Sequence, residues 1–288
     1  MALTINTNIT SLVTQSNLAK ATSSLNKAIE RMTTGYKINH ASDNAAGYSI
    51  AKNWQIKLSS LDAAADNAAM GSDLLATLED NYDLISSHLQ RVRDLTEQAA
   101  NGTYGSASKE AIQSEITARL EEIDRISTNA EYNGIKLMKG TGSEIKLQVG
   151  TDASTNSQIT LAASLTKGAD VASLFAGGAV TTIADVAKAC AGNDTAHTAT
   201  SMLTNIDNVI KNVSERVTAI GAAQNRIDSA IESIGVQSEN ITSSLSTIRD
   251  ADVASESSNY IQAQILQQAA ATLLSTANQA PSIALNLI

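Results

Sequence analysis

The chain has 288 residues, 43% hydrophobic but only 3% aromatic, with one Trp, one Phe and a single proline. Its net charge of −9 argues against nucleic acid or an anionic membrane surface as a partner. One cysteine, Cys190, excludes an intrachain disulfide and any metal site built on several thiolates. No cofactor and no metal are expected.

Segment 1–19 carries no Asp, Glu, Lys or Arg. It lacks the basic and apolar regions of a cleaved signal peptide. Leu18, Leu25 and Met32 recur at intervals of seven with Leu12 and Ile29 beside them, which predicts a helix. The next region carries two interleaved heptad rows, Leu61, Ala68, Leu75, Tyr82, Leu89 and Leu78, Ile85, Val92. A turn-forming cluster at 101–106 interrupts the pattern, with a cap expected around Ser108. A further helix then carries Ile112, Ile116, Leu120 and Ile123 on one face.

Asn133-Gly134 closes this helix with a strong turn signal. The alternation of Ile145, Leu147 and Val149 with polar neighbours predicts a strand, and 158–161 reads as its returning partner. Segment 163–197 is small, Gly-containing and weakly patterned, and is expected to be a surface excursion with one helix near 183–189. Ile206, Val213, Ile220, Ile227, Ile234, Ile241 and Ile248 then recur every seven residues, and a companion row begins at Ile210 and Val217. That stripe predicts a coiled-coil-like helix roughly 60 Å long. Two helical stretches from the first half and one from the second make a three-segment bundle.

Segment 257–288 is again uncharged, with Ile261, Ile265, Leu266 and Leu273 at helical spacing. Its scattered Gln, Asn, Ser and Thr rule out a membrane-crossing helix. Burial within one such tail does not match the entropy of ordering it. Order is expected only among helices from several copies, and charge-free ends point to assembly.

Chemistry is absent from the pattern. His40, His88 and His197 are far apart, Gly177-Gly178 lacks the setting of a phosphate loop, and the carboxylates of 121–124 read as a solvated helix face. No catalytic constellation emerges, and no enzyme activity is expected. The cluster at 90–98 places Arg91 and Leu95 four apart on one helix face.

The ordered motifs resemble those of bacterial flagellin. MALTINTNITSLVTQSNL, LNKAIERMTTGYKINHASDNAAGYSIA, QRVRDLTEQAANGTY, IQSEITARLEEIDRIS and AEYNGIKLM carry the likeness in the first half. VSERVTAIGAAQNRIDSAIESI, SENITSSLSTIRDADVA and ILQQAAATLLSTANQAPSIALNLI carry it in the second, so that 1–165 and 200–288 are covered.

The resemblance implies a mainly α fold: a long antiparallel helical bundle with a small β-hairpin region and paired N- and C-terminal helices. Segments 1–44 and 245–288 would form a terminal coiled-coil inner-tube domain. Segments 45–165 and 200–244 would form a helical rod with a β-hairpin near 144–161, and 166–199 a short variable surface segment. The expected self-assembly core is Leu3, Ile5, Ile9, Leu12, Leu18, Leu25, Ile29, Met32, Ile261, Ile265, Leu266, Leu273, Leu274, Ile283, Leu285 and Leu287.

The implied function is a filament subunit for swimming motility, in an extracellular flagellum reached by type III export. Implied partners are other flagellin subunits, an export chaperone at the C-terminal segment, and filament cap and hook-junction proteins. A host Toll-like receptor that senses flagellin would contact an exposed face at Gln90, Arg91, Leu95, Gln98 and Glu115, with Leu95 as its apolar plug. No nucleic acid and no membrane insertion are implied. A hook–filament junction protein is the alternative within this architecture. A coiled-coil signalling or chaperone-like module is the alternative from another class.

Overall fold

The first helix, α1 (Ile9–Thr34), begins where the Asn8 side chain accepts from the Ser11 N–H, and it ends at Gly35. Gly35 has φ +73, a conformation that closes a helix at little cost only when no Cβ is present. The computed structural model describes residues 7–139, 144–176, 181–194 and 198–285, with side chains excluded from 280 onward. Helix α2 (Ala45–Ala100) starts at Asn44, whose side chain accepts from the Gly47 N–H. Helix α3 (Ser106–Asn129) starts two residues before the expected cap, directly after Gly105, and has no side-chain cap.

Two short strands, β1 (Glu131–Tyr132) and β2 (Ile135–Lys136), pair antiparallel around Asn133 and Gly134. Both turn residues have positive φ, +48 and +81, as a two-residue hairpin with native strand twist requires. The Asn-Gly pair therefore makes a hairpin as well as ending a helix.

Strands β3 (Ile145–Gln148) and β4 (Gln158–Leu161) pair antiparallel in the predicted place, with Leu147 opposite Ile159. Short helices α4 (Val171–Leu174) and α5 (Ile183–Cys190) precede the long α6 (Ala199–Arg249) and α7 (Val253–Leu285).

Two compact units divide the chain. One holds Met1–Leu58 with Ser238–Ile288, the other Ser59–Gln237. The divisions expected near 44 and 245 both fall inside the first unit.

The second unit has a continuous apolar core. Both predicted rows of α2 are fully packed, from Leu61 to Leu89 and from Leu78 to Val92. Ile116, Leu120 and Ile123 of α3 join them, with Ile206, Val213, Ile220 and Ile227 of α6. The companion row of α6 is displaced from its expected place. Ile210 and Val217 are only half-buried, and Met202, Val209 and Ala223 are buried instead. That inner row includes position 216, where Arg216 donates to the Tyr82 hydroxyl (3.1 Å) and the Lys167 and Gly168 carbonyls.

The middle segment departs from its surface reading. Leu165, Ala169, Val171, Leu174, Phe175, Val186, Ala187 and Ala189 all belong to the core. The Tyr82 hydroxyl donates to the Leu165 carbonyl, and the Asp124 carboxylate accepts from the Val171 N–H. The alanines among them, Ala169, Ala187 and Ala189, suit this role because they can pack flush between helices. Cys190 is fully buried there, and burial, opposed by a hydrogen bond with Thr96, pushes its thiol up to about 11. It packs as an apolar side chain rather than as a nucleophile.

Candidate assembly surfaces

In the first unit, α1 and α7 run antiparallel. Asn8 donates to the Ala277 carbonyl, Gln267 donates to the Thr22 hydroxyl, and Arg31 meets Glu256 at 3.1 Å. As one helix ascends, its partner descends. The seam between them consists of alanines seven apart, Ala21 and Ala28 on α1 and Ala263 and Ala270 on α7. Alanine lets two helix backbones approach closely and contributes little apolar area. One carboxylate continues the row: Glu256 is buried and balanced by the Arg31 guanidinium.

The large aliphatic residues lie on the other faces. Leu12 is 70% exposed, Ile265 60%, Leu273 60% and Leu266 53%, with Ile9, Ile29, Met32 and Ile261 also exposed. Leu18, Leu25 and Leu274 are half-buried. Of the predicted assembly core, Leu3, Ile5 and Leu287 lie outside the described residues, as do the side chains of Ile283 and Leu285. Along one side of the pair runs a groove of about 690 Å³, floored by the four seam alanines and edged by Lys20, Lys27, Leu266 and Leu273. The sequence pattern marked the large residues and missed the seam. Alanines at intervals of seven were the available signal, obscured because alanine is abundant throughout.

A tight junction closes the same unit. The Lys37 N–H donates to the Arg249 carbonyl and the Ala251 N–H to the Gly35 carbonyl. The Arg249 guanidinium stacks 3.9 Å above the Tyr36 ring, a cation–π contact. Beyond it, the Asp43 carboxylate accepts from the His40 and Asn39 N–H groups and lies 3.7 Å from Lys27. The His40 N–H bond holds Asp43 below its ordinary range, against the opposing effect of its own burial. Gly47 packs closely beside this loop, since a Cβ there would lie 2.8 Å from Ile38 Cδ1 and would make that side chain shift.

The second candidate surface is on α2 and α3. Arg91 and Glu115 form an ion pair of 2.9 Å between the two helices, and Gln90 and Gln98 are exposed nearby. This pairing holds the Arg91 guanidinium above its ordinary value, so it remains a cation at every relevant pH. Leu95 is placed differently from the expectation. It is only 2% exposed, on the inner edge with Val92 and Ala99, and offers no apolar plug on the surface. Four residues advance a helix by more than one full turn, enough here to carry Leu95 from the rim into the core. Asp94, Glu97 and Tyr104 complete an open depression beside Arg91.

Among the described residues no group of His, Cys, Asp and Glu could hold a metal ion, and no helix is long and apolar enough to cross a membrane. Comparison with known proteins gives the two surfaces their context. The model of the bacterial flagellin N-terminal helical region matches residues 5–143, and that of the C-terminal helical region matches 203–288. The flagellin of Listeria innocua is 34% identical, with 99% of each chain covered, and that of Bacillus subtilis is likewise 34% identical with 99% of each covered. A putative flagellar hook-associated protein from Vibrio parahaemolyticus shares the fold. Its TM-score is 0.59 at 16% identity, over 72% of this chain and 100% of that one. The chain belongs to the bacterial flagellin family, the structural subunits of the surface-exposed flagellar filament.

Proposed function

We propose that the outward aliphatic residues of α1 and α7 are the polymerisation contacts of this subunit, and that they become buried only between copies. One observation carries the reading: a helix pair joined by alanines, uncharged over 9–19 and 257–279, holds its large side chains outward. Burying an exposed Leu or Ile contributes about 1.5–3 kcal/mol each, and a monomer leaves that contribution unused. Lys20 and Lys27 at the groove edge favour a particular approach direction without supplying the affinity.

The test compares the intact chain with an Ile265→Ser, Leu266→Ser variant. The intact chain, concentrated, should pellet and show long tubes by electron microscopy. The variant should melt like the parent and stay soluble. Unimpaired tubes from the variant would refute the reading. Short rings from the intact chain would instead favour a hook–filament junction role.

The uncharged C-terminal segment suits capture by an export chaperone before assembly, since an aliphatic helix face must be kept from premature association. Export through the flagellar type III apparatus, and docking to cap and hook-junction proteins, follow from the same family reading. For host recognition, the exposed Gln90, Arg91 and Gln98, with the half-buried Glu115 paired to Arg91, would engage a flagellin-sensing Toll-like receptor, with Leu95 supporting the helix from beneath. Arg91 offers planar charged donors of the kind that dominate interfaces. Receptor-reporter cells should respond less to Arg91→Ala monomers than to the parent. An equal response would remove Arg91 from the contact.

A further inference from the structure

The chain contains two exposed Asn-Gly pairs, Asn101-Gly102 and Asn133-Gly134, and the structure treats them differently. Asn101 lies just past the last turn of α2, where its side-chain Oδ1 accepts from the Thr103 N–H at 3.2 Å. That bond holds the carboxamide on the side of the chain that follows it, next to the peptide of Gly102. The Gly102 N–H has no hydrogen-bond partner among the described residues. A Cβ built at Gly102 would meet nothing within 4 Å, so the peptide sits in open space.

Asn133 is held otherwise. Its φ of +48 and that of Gly134, +81, are fixed by a hairpin whose strands pair on both sides. The Lys136–Glu131 ion pair, at 2.6 Å, closes the same strands. Swinging the Gly134 nitrogen toward the Asn133 side chain would break that turn.

We propose that Asn101 is a site of spontaneous modification, in which its side-chain amide is lost and aspartate or isoaspartate takes its place. The Gly102 nitrogen gives up its proton and attacks Asn101 Cγ. The Cγ–N bond to the amide breaks, ammonia leaves, and a five-membered succinimide closes. Water then opens the ring at either carbonyl, giving aspartate or an isoaspartate whose main chain runs through the side chain. Glycine permits this because no Cβ obstructs the approach of its nitrogen.

The product places a carboxylate at the C-terminal end of α2, where the helix dipole already concentrates negative charge. It also adds to Asp94 and Glu97 around the depression beside Arg91. The modification stands apart from the polymerisation reading and survives or fails independently of it.

The test incubates the intact subunit in mildly alkaline buffer made with heavy-oxygen water. Peptide mapping and an isoaspartyl methyltransferase assay then locate the product. Heavy oxygen should enter at Asn101 before Asn133, with isoaspartate as the main product, and Gly102→Val should suppress it severalfold. A Cβ at Gly102 meets nothing within 4 Å, and an unchanged melting temperature in Gly102→Val shows that the variant reports the chemistry rather than unfolding. Labelling first at Asn133, labelling at neither, or unchanged labelling in Gly102→Val overturns the assignment.

Discussion

The two units solve opposite problems with the same helical period. In Ser59–Gln237 the seven-residue rows are Leu, Ile and Val, and they face inward. In the terminal unit the inward row is alanine, and residues of similar size to those of the other unit's core point outward. A heptad stripe thus says which residues share a face and leaves open whether the face is filled within one chain. Close packing inside a single chain makes a stable unit. Holding the same side chains outward makes a subunit that gains stability from neighbours.

The largest separation between the units should come from truncating a core residue. Leu120→Ala in α3 should cost the monomer about 2–5 kcal/mol, read by urea unfolding, because a fully buried leucine leaves a cavity. A cost below 1 kcal/mol would mean that the core of Ser59–Gln237 is as loosely filled as the terminal pair. Next in size is Ala263→Leu, which pushes added methylenes into the alanine seam and should cost about 1–3 kcal/mol. Its unfolding should be confined to α1 and α7 by hydrogen exchange. An equal loss of protection in α3 would show that the units do not unfold separately. Ile265→Ser with Leu266→Ser should change monomer stability by no more than about 0.5 kcal/mol per site, as exposed positions do. A larger loss would place these side chains in an intrachain contact.

Much of this contrast was legible in the residues, within limits that have physical causes. The α2 rows from Leu61 to Val92 predicted their own burial because large apolar residues at fixed spacing have one stable orientation. Strands β3 and β4 were equally plain, since alternation has a period no helix shares. The described part of 163–197 reads as surface because its larger apolar residues, Leu165, Val171, Leu174, Phe175 and Val186, keep no single period, and its alanines are too small to register as a stripe. Arg216 was invisible for a related reason. A charged residue in a core row becomes sensible only once Tyr82 and two carbonyls are known to receive its donors. At Leu95, spacing identified a common face with Arg91 but could not say where the edge of that face lay.

The smallest effect concerns pH, and it separates the units by location rather than size. Asp43 in the loop before α2 titrates below its ordinary value of 3.8, mainly because the His40 N–H hydrogen-bonds to the ionised form. Its own burial opposes that shift, while the Asn39 N–H, Lys27 and Arg31 reinforce it. The sign follows from linkage. A depressed carboxyl binds fewer protons in the folded chain than in the unfolded one, so folding favours the ionised form. Its stabilisation is complete above 3.8 and is lost as the pH falls through the lower folded value. Asp43→Asn should therefore lower the melting temperature slightly at neutral pH and leave it unchanged in strong acid, so that the two melting curves converge as the pH falls. The loss of amide protection should centre on Asn39 and His40, whose N–H groups donate to that carboxylate. Convergence with the loss centred instead in α3 would mean that the acid-sensitive step belongs to the unit Ser59–Gln237, and that the loop at Asp43 merely follows it.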